Sequence, residues 1–186
     1  GAAVDDASCL TNIDVLPISL SRPSTAILAT STSNAADAWL SVEGKTLDDL
    51  KGKTVYGLDK SVSKYAFVAG LEALGKNPAD YTFLNLSPEE ATQNLIVGSD
   101  NVKSIFVWNP FKLTALTTKK DVNVIFDSSV IRNQIIDMVV MSNKSLERPG
   151  GKAFAKCVCD VYYQVCDRLN DPATRDETLV SLGAKF

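Results

Sequence analysis

Two serines stand at the start of a predicted helix, in a setting that could bind a small molecule. Residues 54–56 favour a strand because they are β-branched or aromatic, and a polar connection follows them. Ser61 or Ser63 then caps a helix of 3.6-residue apolar periodicity, which Gly75 ends. Free N–H groups and the helix dipole favour an anion at such a start. The alternative is that the serine only caps the helix, a common role for this residue type.

Polar and aromatic side chains also follow other predicted strands. Trp108 and Asn109 come after the apolar run 102–107, and Asp127 comes after the run 122–126. The carboxyl ends of parallel strands share one edge of a sheet, and ligands bind outside that edge. Loops at strand ends are polar in any case, so a ligand site and an ordinary loop are both open interpretations.

The elements that would position these residues alternate along the chain. Between residues 54 and 126 strands alternate with helices, which predicts an α/β fold with a mainly parallel sheet flanked by helices. The predicted strands are 25–30, 38–42, 54–56, 81–86, 102–107, 122–126 and 135–141. The predicted helices are 47–50, 61–74, 88–97, 111–117, 153–169 and 175–182, and residues 17–23 are predicted to be a connection.

The first sixteen residues predict a short strand followed by the start of a helix. Thr11 and Asn12 are capping residues, and Asp14 lies in the first turn, where a carboxylate interacts favourably with the helix dipole. From these residues alone, an ordinary capped helix is the simplest interpretation.

Composition excludes several classes of function. The chain has 186 residues and a net charge of −3 without a basic stripe, which argues against nucleic-acid binding. No apolar run is long enough to span a bilayer. The absence of histidine removes Ser-His-Asp and Cys-His nucleophiles and histidine-based zinc sites. We therefore expect no metal or cofactor and no enzymatic activity.

The four cysteines give no strong metal signal. Cys157, Cys159 and Cys166 fall on one predicted helix, and we expect them to be small packing residues. A Cys-x-Cys pattern alone is weak, because a structural zinc site needs four ligands. Only Cys9 could form a disulfide with that helix, and the sequence leaves this question open.

The order of motifs along the chain resembles a known family. The stretch DLKGKTVYGLDKSVSKYAFVAGLEALGKNPADYTFLNLSPEEATQNL is similar to type II periplasmic substrate-binding proteins of ABC importers, in the nitrate, taurine and aliphatic-sulfonate group. CLTNIDVL, SVSKY, VWNPF, FDSSVI and IIDMVV resemble more narrowly the subgroup associated with urea carboxylase. Asn109 stands between Trp108 and Pro110, where many sulfonate and nitrate binders have glutamate.

The resemblance implies a fold and a domain organisation. It implies the two-lobe periplasmic-binding-protein type II fold, with a ligand cleft between lobes that close about a hinge. Residues 1–50 would form part of lobe I, and residues 51–135 would form lobe II. Residues 136–186 would be a hinge strand and C-terminal helices that return to lobe I. Family members are longer, so we expect a partial chain with an incomplete first lobe.

The resemblance also implies a function and a site. It implies a periplasmic solute receptor that captures a small polar nitrogen-containing solute, such as urea or guanidinium. Its partners would be the permease subunits of an ABC transporter, with no other link to the membrane, and it would be a monomer. Arg132 is the only arginine near the candidate residues, which argues for a neutral or cationic solute. The implied ligand-binding residues are Thr11, Asn12, Asp14, Ser61, Ser63, Trp108, Asn109, Asp127 and Asp137.

Three alternatives remain open. The chain could bind taurine, an aliphatic sulfonate or nitrate through the helix start at Ser61 and Ser63. It could be a structural or assembly protein built from a truncated lobe. It could also resemble the pyrimidine-synthase enzymes of the same fold, although their chemistry relies on histidine and this chain has none.

Overall fold

The computed structural model of the protein describes residues 6–184, and the chain divides into two compact units. Among these residues, one unit comprises 6–9, Ile18–Ala29 and 138–184, and the other comprises Leu10–Pro17 and Thr30–Asp137. The lobe boundaries expected from the sequence, 1–50, 51–135 and 136–186, stay a prediction. Residues 1–5 and 185–186 lie outside the described residues.

Strands and helices alternate through most of the chain. The strands are β1 (Ala7–Thr11), β2 (Ser24–Thr32), β3 (Asp37–Ser41), β4 (Thr54–Gly57), β5 (Thr82–Asn85), β6 (Ser104–Trp108), β7 (Asn123–Asp127) and β8 (Ile136–Ser142). The helices are α1 (Asn12–Ser21), α2 (Val62–Ala73), α3 (Pro88–Val97), α4 (Phe111–Thr118), α5 (Asn143–Glu147), α6 (Gly151–Asn170) and α7 (Arg175–Gly183). Short 3₁₀ turns cover Asp48–Leu50, Pro78–Asp80 and Ser128–Ile131. The predicted α/β class is confirmed.

The larger unit contains a five-stranded sheet of order β5-β4-β6-β3-β7. β4 is parallel to β5 and β6, as predicted, whereas β3 is antiparallel to both β6 and β7. Asp37 opposes Trp108 of β6, and Ala38 opposes Asp127 of β7. The first residue of β3 therefore lies at the edge where β6 and β7 end.

Helices cover both faces of this sheet. β3 alternates, so that Trp39 joins a core with residues of α2 on one face, while Leu40 joins a core with residues of α3 and α4 on the other. The Trp39 ring lies 5.2 Å from the ring of Phe67 in α2 and 5.8 Å from that of Phe126. Its indole N–H donates to Ser104 Oγ at 2.6 Å. These contacts fix α2 against the sheet and thereby position the start of the helix.

Local signals in the sequence account for the helix boundaries. Ser61 caps α2, and Ser87 caps α3 by accepting a hydrogen bond from Glu90 N at 3.2 Å. Gly98 ends α3 in the left-handed conformation, with φ of 79°. Most boundaries lie within two residues of the prediction, but α5 was not predicted, and α1 continues through Pro17 into the segment expected to be a connection. The fixed φ of proline matches helical backbone. Because proline has no backbone N–H group, the helix has one hydrogen-bond donor fewer.

The smaller unit contains α5, α6, α7 and part of a three-stranded sheet of order β1-β8-β2. Cys157 on α6 is exposed, so its predicted packing role is wrong. Phe154 and Val161 on the same helix are also about half exposed. All four cysteines are free thiols. Among residues 6–184, no helix has both the length and the hydrophobicity that crossing a bilayer requires.

Candidate functional site

The start of α2 is held by side chains from two parts of the chain. Ser61 is the N-cap, and its Oγ accepts a hydrogen bond from Ser63 N at 3.2 Å and donates one to Leu58 O at 2.7 Å. The N–H group of Val62 donates to Asp14 Oδ1 at 3.0 Å. The first helical N–H group, which would otherwise be free, is therefore already bound by a carboxylate.

Asp14 is held in this position by its own helix start. Its Oδ2 accepts a hydrogen bond from Thr11 Oγ1 at 2.8 Å, and its backbone N–H donates to the same hydroxyl at 3.1 Å. Thr11 and Asp14 therefore form a local cap that directs one carboxylate oxygen to Val62. The predicted capping role of Thr11 and the predicted place of Asp14 in the first turn are therefore confirmed.

Ser63 differs from Ser61 in having an unused hydroxyl. The residue is fully buried in the second position of α2. Its Oγ has no hydrogen-bond partner among the described residues. A buried hydroxyl without a partner carries a desolvation penalty, so its presence at this helix start requires an explanation.

Asn12 connects α1 to β8 rather than facing the serines. Its side-chain amide donates to Gln134 O at 2.9 Å, and its Oδ1 accepts from Ile136 N at 2.9 Å. Both polar atoms of the side chain are thus bound to backbone. Asn12 therefore has a structural role in joining α1 to β8. Its predicted contact with a ligand stays a prediction.

Trp108 and Asn109 lie at the end of β6. Trp108 is half-buried, and its ring meets that of Phe111 edge-on at a centroid distance of 5.8 Å. Asn109 is exposed, its backbone N–H donates to Ala36 O at 3.2 Å, and the bond to Pro110 is cis. The indole therefore borders the strand-end edge of the sheet and is partly accessible.

Two further predicted aspartates have local hydrogen-bond partners. Asp127 Oδ1 accepts from Ser129 N at 3.0 Å and caps the turn Ser128–Ile131. Lys112 Nζ lies 3.9 Å from Asp127 Oδ2 and donates to Ala35 O at 2.5 Å. Asp137 Oδ2 accepts from Ser31 Oγ at 2.7 Å.

Asp37, the most deeply buried carboxyl group of this region, is absent from the residues predicted from the sequence. It is 5% exposed, and its Oδ2 accepts a hydrogen bond from Ser33 Oγ at 2.5 Å. Burial raises the pKa of Asp37 above its ordinary value. The hydrogen bond from Ser33 opposes this rise, the carboxylates of Asp137 and Asp14 add to it, and Lys112 lowers the pKa again. Asp37 begins β3 after a polar SNAA segment, which in the sequence is typical of a turn.

The structure thus brings most of the predicted residues into two connected groups. Hydrogen bonds join the first group: Thr11, Asp14, Ser61 and, through its backbone, Ser63. Strand register and charge interactions join the second: Asp37, Trp108, Asp127 and Asp137. Asp14 belongs to both, because its charge also acts on Asp37. No group of three potential metal ligands occurs in residues 6–184.

Comparison with known proteins identifies the fold. No protein-family model matches the chain, and no curated protein matches it. The periplasmic aliphatic sulphonate-binding protein SsuA from Escherichia coli superposes with a TM-score of 0.72 at 22% identity, covering 92% of this chain and 58% of that one. The alkanesulfonate-binding protein SsuA from Xanthomonas axonopodis pv. citri, bound to MOPS, gives 0.71 at 20% identity, covering 95% and 61%.

A third solved structure agrees with these two. The ligand-binding component of an ABC-type import system from Staphylococcus aureus, with zinc bound, gives a TM-score of 0.72 at 14% identity and covers 97% of this chain and 61% of that one. The chain therefore has the α/β fold of periplasmic binding proteins and spans about three-fifths of the length of these structures. The narrower resemblance to the urea-carboxylase-associated subgroup stays a prediction.

Proposed function

We propose that the protein is the solute-binding receptor of an ABC-type importer. The fold supports this proposal, because the solved structures that share it are described as binding proteins and as a component of an import system. In this proposal the receptor works in the periplasm, delivers its solute to the permease subunits as a monomer, and carries out no chemistry of its own. The whole protein's activity is proposed from a chain that spans part of those structures.

The solute in our proposal is small, polar and neutral or cationic, with N–H donors, like urea or guanidinium. One observation carries this choice: Asp14 Oδ1 already accepts the Val62 N–H bond at 3.0 Å. A helix N-terminus is a favourable place for an anion, and here the protein's own carboxylate occupies it. An incoming anion would also meet the charges of Asp37, Asp127 and Asp137, and Lys112 is a cation that interacts with the first two of these.

The chemistry of the proposed residues suits such a solute. A carboxylate accepts up to four hydrogen bonds, so Asp14 retains acceptor capacity beyond its bonds to Thr11 and Val62. Carboxylate oxygens pair with planar N–H donors in a bidentate geometry. The half-buried indole of Trp108 offers a face for stacking and for cation–π attraction. Asn109 and Ser63 would supply the remaining hydrogen bonds, including one to a urea carbonyl.

A second candidate class, the sulfonates with taurine and nitrate, is favoured by two observations. The SsuA proteins of similar fold are described as sulfonate-binding. The buried hydroxyl of Ser63, which has no partner among the described residues, lies at the start of α2, where it could donate to an anion. For this class to bind through α2, the anion would have to displace Asp14 from Val62 or approach beside it.

A thermal-shift titration of the intact protein distinguishes the two classes. The panel is guanidinium, urea, taurine, an alkanesulfonate and nitrate, each at concentrations too low to denature. A bound solute raises the free energy of unfolding by about 2.7 kcal/mol at a hundredfold excess over its Kd. We expect guanidinium or urea to raise the midpoint. A rise with sulfonates or nitrate alone would replace our ligand class, and no response with a fixed oligomeric state would favour a structural protein.

Asp14→Asn is the variant that tests the role of the carboxylate. It keeps an oxygen that can accept the Val62 N–H bond but removes the charge. We expect it to weaken guanidinium binding by about tenfold or more, the cost of a lost charge-assisted hydrogen bond. Asp100→Asn is the matched control, because the Asp100 side chain is fully exposed and pairs with Lys103, at 3.5 Å, away from the candidate residues.

A further inference from the structure

The position of Asp37 places a carboxyl group between the two strands that end at the candidate site. As Cα partners, Asp37 and Trp108 face each other across β3 and β6. Side chains of directly opposed residues lie on the same face of a sheet. Trp39, two residues after Asp37, packs on the α2 face, so the alternation of the strand puts Asp37 on that face too. Asp37 and the start of α2 thus share one face of the sheet.

A chain of hydroxyl groups fixes one oxygen of Asp37. Ser33 Oγ donates to Asp37 Oδ2 at 2.5 Å and lies 2.7 Å from Ser128 Oγ. Because a hydroxyl has a single proton and Ser33 gives it to Asp37, Ser128 must donate to Ser33. The hydrogen bond to Asp37 from a described side chain is the one to Oδ2, and Oδ1 is not among the fully buried polar atoms that lack a partner, so Oδ1 borders solvent. The carboxyl group is therefore oriented through one oxygen and retains an unused acceptor in the other.

Around Asp37, negatively charged groups outnumber positively charged ones. The carboxylates of Asp137 in β8 and Asp14 in α1 act on it and raise its pKa, while Lys112 in α4 opposes them. Lys112 is shared, because its ammonium group also bonds Ala35 O and lies 3.9 Å from Asp127. A donor that binds the oxygen left over would stabilise the ionised form of this largely buried carboxyl group. A cationic donor would supply both the hydrogen bond and the missing charge.

We infer that Asp37 is a specificity-determining residue of the proposed site, whose carboxylate binds the N–H group of a cationic, guanidinium-type solute. The inference rests on the proposed function and narrows its ligand class from neutral or cationic solutes to cationic ones. Urea would bind more weakly than guanidinium, because it offers similar donors without the charge. Trp108, opposite Asp37, would contact the face of the planar cation.

Binding of a cation to Asp37 is coupled to release of a proton from its carboxyl group. Burial raises the pKa of the free Asp37 carboxyl group, so this group takes up its proton at a higher pH than an ordinary aspartate does. The cation binds the ionised form, so binding releases a proton. Affinity for guanidinium should therefore weaken as pH falls through the raised pKa of Asp37. The charged groups that act on Asp37 are Asp137, Asp14 and Lys112, and Asp127 lies beside that lysine.

Calorimetric titration with guanidinium tests this inference in the intact protein. The titrations are repeated at several pH values from acidic to neutral, in pairs of buffers that differ in ionisation enthalpy, which measures the protons released. Wild type should release protons at the acidic end and lose affinity there. Asp37→Asn should bind about 10-fold to 100-fold more weakly at neutral pH and release no proton. Asp100→Asn, the exposed control, should behave like wild type.

A second variant keeps the inference testable if Asp37→Asn fails to fold. Ser33→Ala retains the carboxyl but removes the hydrogen bond that lowers its pKa. The midpoint of the pH dependence of affinity should then move to higher pH. Unchanged guanidinium affinity in Asp37→Asn, or an unchanged midpoint in Ser33→Ala, would overturn the role of Asp37 while leaving the receptor proposal intact. If wild type binds no solute, the proposed function fails, and the inference fails with it.

Discussion

Gly70 lets α2 approach the sheet closely enough to place its first turn at the candidate site. A Cβ atom on Gly70 would lie 2.3 Å from Phe126 Cε2 and 2.9 Å from Cζ. Favourable carbon–carbon contacts are about 3.5–4.0 Å, so the Phe126 ring would have to move by about 1 Å. Trp39 and Phe106 hold that ring, with centroids at 5.8 and 5.9 Å. Gly70→Ala therefore tests the close packing of α2 against Phe126.

Two opposing effects set the expected size of the change. Overpacking of a buried site costs about 1–3 kcal/mol. Replacing glycine by alanine inside a helix gains about 1 kcal/mol. We expect Gly70→Ala to lower the free energy of unfolding by about 1–2 kcal/mol overall, because a ring held on several sides gives way less easily than a flexible chain end.

Thermal unfolding monitored by circular dichroism measures this change. Gly183→Ala in α7 is the control, since no described atom lies within 4 Å of its added Cβ position. The control should be neutral or slightly stabilising. If Gly70→Ala were as stable as wild type, or more stable, helix propensity would outweigh the packing, and our description of how α2 is positioned would be wrong.

The structure also predicts the direction in which three further substitutions change the stability of the protein. Asp37→Asn removes a group that binds its proton more tightly in the folded state. The stability of wild type relative to this variant should therefore fall as pH rises from 3.8 towards the raised pKa of Asp37, as measured by thermal unfolding at several pH values. Ser87→Ala should cost about 1 kcal/mol in the same assay, through loss of the α3 cap. Trp39→Phe should cost about 2–4 kcal/mol in thermal unfolding, since it leaves a cavity and removes the hydrogen bond to Ser104.

Elements with strong local signals were predictable from the sequence. The α3 helix has a serine cap, a proline in its first turn and a glycine stop, and the structure places its bounds at Pro88 and Val97 as predicted. Ser61 likewise caps α2. The α/β fold followed from the alternation of strands and helices, which depends on local periodicity.

The arrangement of the candidate site depended on contacts between distant residues. The bond from Val62 N to Asp14 joins positions 48 residues apart, and nothing in the local sequence indicates it. The position of β3 between β6 and β7 comes from long-range pairing, so Asp37 looked like part of a turn. The only available signal was an acidic residue directly before the apolar run 38–40. Burial and charge interactions become visible only once the strands are paired.

The most direct test of the central claim compares guanidinium with methanesulfonate in side-by-side calorimetric titrations of the intact wild-type protein at neutral pH. We hold that Asp14 occupies the start of α2 and that the surrounding carboxylates select a solute with N–H donors. We therefore expect a saturable heat with guanidinium and none with methanesulfonate. Saturable binding of methanesulfonate without binding of guanidinium would contradict this claim.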